Sequence, residues 1–214
     1  MSKICIGIIS YLPDDPVSRE VRKSRALSLI RQCDNWFRIP IIVIAQNWSS
    51  DMLISTNNSN LIIYNYSNKL GITNARLTLV EKFKKSPYDR IIFMDDDMVL
   101  NSEFEVRKYL NSLGNKSFYY VSGWLCNFCS ISKDGLNIVN FDREVDAEKQ
   151  TGFEDWLFFR TCLKKLSNEK IICNVGKGTR KDYLDDKYST WNPNGINNKN
   201  RNTKITNDKI LKIR

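Results

Sequence analysis

Three consecutive carboxylates stand between two apolar runs in the middle of the chain. RIIFMDDDMVL delivers Asp95, Asp96 and Asp97 directly after Ile91–Met94 and directly before Met98–Leu100. Like charges repel, and burying a carboxylate costs several kcal/mol unless a cation compensates it. An extended run alternates its faces, so Asp95 and Asp97 are expected on one side and Asp96 on the other. Two same-facing carboxylates are hard oxygen ligands of the kind that hold Mg²⁺ or Mn²⁺ together with phosphate oxygens. The bland alternative is a solvated acidic turn, and the apolar residues on both flanks argue against it.

Three other constellations carry chemistry. In NKLGITNARLTLVEKF, the residues Ile72, Ala75, Leu79, Val80 and Phe83 repeat at helical spacing, and Arg76 falls on the same stripe. A guanidinium on the buried side of a helix needs an anion. A phosphate at the helix N-terminus or the Asp cluster itself would serve, the latter making a structural ion pair. In GFEDWLFFRTC, Asp155 shares a helix face with Phe159, Cys162 and Leu166. It reads either as an acid favoured by the helix N-terminus or as a positioned general base, with Gly152 and Phe153 leaving room for a substrate. In VSGWLCNF, Gly123 and Trp124 sit between strand signals, where the indole suits either a sugar face or a core. The chain has no histidine. That excludes Ser-His and Cys-His nucleophile pairs and His-ligated zinc, and leaves carboxylates, Lys, Tyr or a hard metal to do any catalysis.

Positioning these groups requires a scaffold, and the hydrophobic pattern describes one. KICIGIIS (3–10), PIIVIA (40–45), LIIYN (61–65) and RIIFMD (90–95) read as buried strands. Residues 17–32 and 72–85 read as the helices between them. Such alternation predicts an α/β fold with a mainly parallel central sheet flanked by helices on both faces. Ligands of such sheets bind beyond the carboxyl ends of the strands. Ser10 and Tyr11, Gln46 and Asn47, Asn65, and Asp95 to Asp97 occupy those ends. The second half reads as strands at 117–132 and 136–141 joined by a KDG hairpin signal. A helix at 153–166 and a strand at 171–175 follow, forming a smaller, partly antiparallel portion.

Composition bounds the rest. A chain of 214 residues with 42% hydrophobic and 27% charged residues affords one domain with a core. No apolar run reaches the roughly 18 to 20 residues of a membrane span. The N-terminus lacks the h-region of a signal peptide, and a cytoplasmic location is expected. The net charge is +9, and from Gly176 onward ten Lys or Arg face four Asp, a balance of +6. Residues 176–214 are therefore expected to be a basic, partly mobile segment that orders over an anionic ligand. A nucleotide diphosphate, nucleic acid or anionic membrane surface would each satisfy its charge, and so would solvent. The six cysteines, Cys126-x-x-Cys129 among them, are expected to be free thiols.

The order Ser10–Tyr11, LGITNAR, DDD and G-F-E-D-W resembles GT-A fold glycosyltransferases, family-2-like, over about residues 3–175. The resemblance implies a nucleotide-binding half at about 1–100 and an acceptor half at about 101–175. It implies a nucleotide-diphosphate sugar as donor, UDP-linked by expectation, a glycan hydroxyl as acceptor, no nucleic-acid partner, and Mn²⁺ or Mg²⁺ as cofactor. On this likeness Ser10, Tyr11, Gln46, Asn47, Arg76, Asp95 and Asp96 line the donor site. Asp95 contacts ribose or metal-bound water, Asp97 ligates the metal, and Asp155 is the base of an inverting transfer. Two departures stand out. The family usually has acidic residues after strand 2, where this chain has Gln46 and Asn47, and it often brings a late His to the metal. Water, Asp185 or Asp186 would have to replace that His. The chain also resembles the leading glycosyltransferase domain of larger viral proteins. On that likeness the charged ending KILKIR is expected of a domain cut from a longer chain in host cytoplasm. A nucleotidyltransferase or a metal-dependent nuclease would share the carboxylates. The first would show a Gly-rich basic loop where YLPDDP stands, and the second would not need LGITNAR or the E-D pair.

Overall fold

The apolar runs line up side by side in the computed structural model, which describes residues 3–49, 60–121, 128–141 and 153–178. Strands β1 (Ile4–Tyr11), β2 (Ile41–Gln46), β3 (Leu61–Tyr66) and β4 (Arg90–Asp95) are parallel to one another, β1 pairing with both β2 and β4. After β4 come β5 (Met98–Leu100), β6 (Phe118–Val121), β7 (Phe128–Ser132), β8 (Asn168–Ile171) and β9 (Gly176–Gly178). The main sheet has the order β3-β2-β1-β4-β7-β6-β8, in which β7 alone runs against its neighbours. A small second sheet pairs β5 with β9.

Both faces of the sheet are covered, which is why β2 and β4 are buried along their whole length instead of alternating. On one face Ile6, Ile8, Val43, Ile92 and Met94 pack under α1 (Pro16–Phe37) through Ala26, Leu29, Cys33 and Phe37. Asp15 caps α1 by accepting from the Ser18 N–H at 2.8 Å, and Pro16 opens it. The helix runs five residues past the expected Gln32 because Cys33 and Phe37 continue its buried stripe.

On the opposite face Cys5, Ile9, Ile42, Ile44, Ile91 and Phe93 pack under α2 (Ile72–Lys84) through Ala75, Leu79, Val80 and Phe83. Gly7 makes this contact close. A Cβ there would lie 2.5 Å from Ile91 Cδ1 and 2.9 Å from Leu79 Cδ2.

The second half departs from expectation in three places. KDG is not a hairpin turn. Ser132 accepts from the Gly135 N–H and caps a short helix, here α4 (Lys133–Ile138), so 136–138 are helical. The antiparallel pair is β6 with β7. The expected strand at 171–175 lies earlier, at β8, and its partner is β6. A helix unmarked in the sequence reading, α3 (Glu103–Asn111), is capped by Ser102, which accepts from Glu105 N–H at 3.2 Å. That capping-box spacing was the available signal. The last helix, α5 (Phe153–Lys165), stands as expected. Residues 176–178, assigned to the basic segment, form β9. The remaining basic segment, 179–214, lies outside the described residues, as do Gly123, Trp124, Cys126 and Gly152. The other five cysteines are free thiols.

Candidate active site

The strand order reverses between β1 and β4: from β1 the chain crosses to β2 and β3 on one side, then to β4 on the other. The carboxylate triplet sits at the carboxyl end of β4, where open α/β sheets place ligands. The strand stops at Asp95, and Asp96 and Asp97 form a turn. Strand alternation therefore governs only the step from Asp95 to Asp96, which does send the two carboxylates to opposite faces.

On the α2 face, Arg76 is fully buried and holds two acids. Its Nη2 donates to Asp95 Oδ1 at 2.9 Å and to Asp155 Oδ2 at 3.0 Å, while Nε lies 2.9 Å from Asp155 Oδ1. The second contact is two-pronged, one prong a hydrogen bond and the other a close ion contact, a reach that the guanidinium has and a Lys ammonium lacks. The Phe141 ring lies 5.5 Å from the guanidinium carbon and closes the other side. Asp155 is buried in the first turn of α5, where the helix N-terminus favours negative charge. Of the two partners the sequence suggested for Arg76, the Asp cluster is present, and Asp155 joins it from 79 residues away.

On the α1 face, Asp96 is equally enclosed. Ser10 Oγ donates to Asp96 Oδ2 at 2.7 Å, the Trp48 indole N–H donates to Ser10 Oγ at 3.2 Å, and Arg22 Nη2 lies 3.5 Å from Asp96 Oδ1. Burial pushes the Asp96 carboxyl above its ordinary range, against the opposing pull of Arg22 and of the Ser10 hydroxyl. Arg22 escaped the sequence reading. It carried the same signal as Arg76: a guanidinium four residues from Ser18 and Ala26 on the buried face of its helix.

The remaining expected residues divide between these faces. Tyr11, Gln46 and Tyr66 are register partners across β1, β2 and β3 and continue the α2-face positions Ile9, Ile44 and Tyr64. Gln46 is buried, and its Oε1 accepts from the Leu70 N–H at 2.8 Å. The Lys69 ammonium lies 5.1 Å from the centre of the Tyr11 ring. Asn47 has φ 61°, and its amide donates to Leu12 O at 2.9 Å and to Asp14 Oδ1 at 2.8 Å. Arg19 donates to Asn47 O at 2.6 Å and to Pro13 O at 3.2 Å, which ties the loop after β2 to the loop after β1. Asn47 thus shapes the rim.

Asp97 is half-buried in the turn. Among the described residues no three Cys, Asp or Glu side chains gather into a ready-made metal cage. The donors that Asp95 and Asp97 offer are all oxygen, which fits a hard divalent cation. Mg²⁺ is commonly held by one or two carboxylates, with phosphate and water completing its shell.

No protein-family model and no curated protein sequence matches the chain. Solved structures do. S. aureus TarS (1–349) superposes with a TM-score of 0.57 at 14% identity, over 91% of this chain and 74% of that one. Glucosyl-3-phosphoglycerate synthase from Mycobacterium tuberculosis, solved with Mn²⁺, UDP and phosphoglyceric acid, gives 0.53 at 11% identity over 83% and 70%. The mannosyltransferase PcManGT from Pyrobaculum calidifontis, solved with GDP-Man and Mn²⁺, gives 0.56 at 7% identity over 82% and 56%. The chain has the GT-A fold of these nucleotide-sugar transferases. Among the described residues no helix is long and apolar enough to cross a membrane.

Proposed function

We propose that the chain is a divalent-metal-dependent glycosyltransferase that moves a sugar from a nucleoside diphosphate sugar to a glycan hydroxyl with inversion. The observation that carries this reading is the convergence of Asp95, Arg76 and Asp155 at the strand-order reversal of a GT-A sheet. The nucleotide sugars and Mn²⁺ in the neighbours' structures support the substrate class.

The chemistry assigns distinct tasks. Cleaving a sugar–diphosphate bond develops negative charge on the leaving phosphate and positive character on the sugar carbon. A Mn²⁺ or Mg²⁺ ion held by Asp97, with Asp95 beside it, would supply Lewis-acid neutralisation of that leaving group. Asp155 would take the proton of the attacking hydroxyl. Both its oxygens contact Arg76, yet a carboxylate has about four lone-pair positions and retains room for a further donor. Arg76 fixes that carboxylate's orientation, so the acceptor oxygen meets a base already aimed. Attack from the face opposite the diphosphate then inverts the anomeric centre. Ser10 and Asp96 support the end of β4 from the α1 face.

Two measurements test the reading. Calorimetry should show tighter UDP binding with Mn²⁺ than with EDTA, and Asp97→Asn should remove that difference. Equal affinity in both conditions would refute the metal's role. Asp155→Asn should slow single-turnover transfer by about 10² to 10⁴, the usual worth of a general base, with donor affinity almost unchanged. Parental rates, or a product that keeps the donor's anomeric configuration, would remove Asp155 from the role.

A further inference from the structure

The row Tyr11–Gln46–Tyr66 crosses three strands at the carboxyl edge of the sheet, on the α2 face that also holds Asp95. Adjacent strands lie about 4.8 Å apart, so Gln46 on β2 is about 10 Å across the sheet from β4. A nucleoside whose diphosphate lies at Asp95 and Asp97 can lay its base over this row. Both rings are half-buried and each offers some surface beside a buried amide. In that orientation the edge of a pyrimidine farthest from its sugar, positions 3 and 4, points away from β4 and meets Gln46.

The amide's polarity is settled by its neighbour. The Leu70 N–H donates to Gln46 Oε1 at 2.8 Å, so the oxygen is committed and the –NH₂ is the end presented. Gln46 is 3% exposed, and its bond from Leu70 is made through the oxygen and leaves Nε2 out of that contact. Building on the nucleotide-sugar reading above, we infer that Gln46 is a donor-only reader of the nucleobase and that the site takes uridine and cytidine diphosphates alike. An N–H donor is satisfied by uracil O4 or by cytosine N3. It offers nothing to uracil N3–H, the one group on that edge which an acceptor would use to reject cytosine. A carboxylate at this position would make that distinction, because the lone pair of cytosine N3 would face a negative oxygen. Tyr11 and Tyr66 contribute stacking, which every base can use.

Gln46→Glu is the decisive variant. It is nearly isosteric, one oxygen can still accept from Leu70 N–H, and the other now accepts where the amide donated. Calorimetry with UDP and CDP in Mn²⁺ should give the parent affinities within about 3-fold of each other. Gln46→Glu should favour UDP by about 10-fold or more, the usual discrimination when a polar edge loses its partner. Gln46→Met keeps the volume without the donor and should weaken both nucleotides equally. Thermal unfolding of each variant guards against misfolding as the cause. A parent that prefers UDP by more than 10-fold overturns the inference while leaving the transferase reading intact. So does a Gln46→Glu variant whose ratio is unchanged. Failure of the folded parent to bind any nucleoside diphosphate would overturn both.

Discussion

At the carboxyl edge of the sheet, adjacent aspartates lead into two environments built from the same parts. Under α1, Asp96 meets one arginine and one serine, the serine in turn held by an indole, and its carboxyl is buried and pushed above its ordinary range. Under α2, Asp95 meets Arg76, which reaches on to Asp155. Arg22 lies at 3.5 Å from its acid, whereas Arg76 makes contacts of 2.9 to 3.0 Å with two. The α1 side pairs residues that all precede residue 100. The α2 side joins residues from both halves of the chain at one guanidinium. Identical residue types therefore serve different ends: the first arrangement locks the loop bases in place, and the second gathers the residues of the proposed reactive centre. The location of the second arginine's extra partner makes the difference.

The largest test of this contrast is Arg76→Met. Removing the guanidinium leaves Asp95 and Asp155 buried without their shared cation, and breaking a buried pair from one side costs about 3–5 kcal/mol. Urea unfolding should show a loss of that size, with transfer abolished. Arg76→Lys should recover part of the stability and little of the transfer, because an ammonium cannot reproduce the two-pronged contact. If Arg76→Lys matched the parent in rate, charge alone would matter and the fork would not.

Asp96→Asn should cost less, about 1–3 kcal/mol at acidic pH, the usual penalty of disturbing a buried hydrogen-bonded group. Its signature is the pH dependence. The folded-state carboxyl titrates above the usual 3.8. The stability this group contributes is thus fully present below pH 3.8 and is lost as pH rises through the folded-state value. Asn does not titrate. The stability of the parent relative to Asp96→Asn should therefore fall as pH is raised through the acidic range, while Mn²⁺-dependent UDP affinity stays close to parental. A rising difference would mean that Arg22 outweighs burial. A large loss of UDP affinity would put Asp96 in the donor site, where the family resemblance had placed it.

Much of the α2 arrangement was legible in the sequence, for identifiable reasons. An apolar strand ending in DDD, an arginine on an apolar helical stripe and an aspartate in line with Phe159 and Cys162 each break a hydrophobic pattern, and a broken pattern is readable in one dimension. The partners themselves were not legible. That Arg76 takes Asp155 as well as Asp95 depends on how two distant helices dock, and that Asp97 leaves the strand depends on a turn beginning one residue earlier than alternation assumes. KDG misled because glycine after a short polar pair serves hairpins and helix starts alike. Ser132, just upstream, decides between them by accepting from Gly135 N–H at 3.0 Å. The shift of the strand expected at 171–175 to Asn168–Ile171 has a similar origin. Pairing with β6 selects Asn168, Glu169 and Lys170, which carry no strand propensity, over the apolar Ile172, which remains exposed.

The smallest expected effect probes how far the α1 side is insulated from the α2 side. Trp48→Phe removes the indole N–H that donates to Ser10 Oγ and keeps an aromatic ring in the core under α1. Ser10 still donates to Asp96, so no buried donor is orphaned and only one acceptor position is left vacant. The lost hydrogen bond and the smaller ring together should cost about 1–2 kcal/mol. Ser10 lies on the same strand as Tyr11, but their side chains leave it toward opposite faces, and the backbone between them is held by β2 on one side. UDP and CDP affinities should therefore both stay within about 2-fold of parental, since the sheet transmits little of a side-chain change beneath it. A change in the UDP-to-CDP ratio would show that the two sides are coupled through β1. Base reading would then depend on the packing of Trp48 as well as on Gln46.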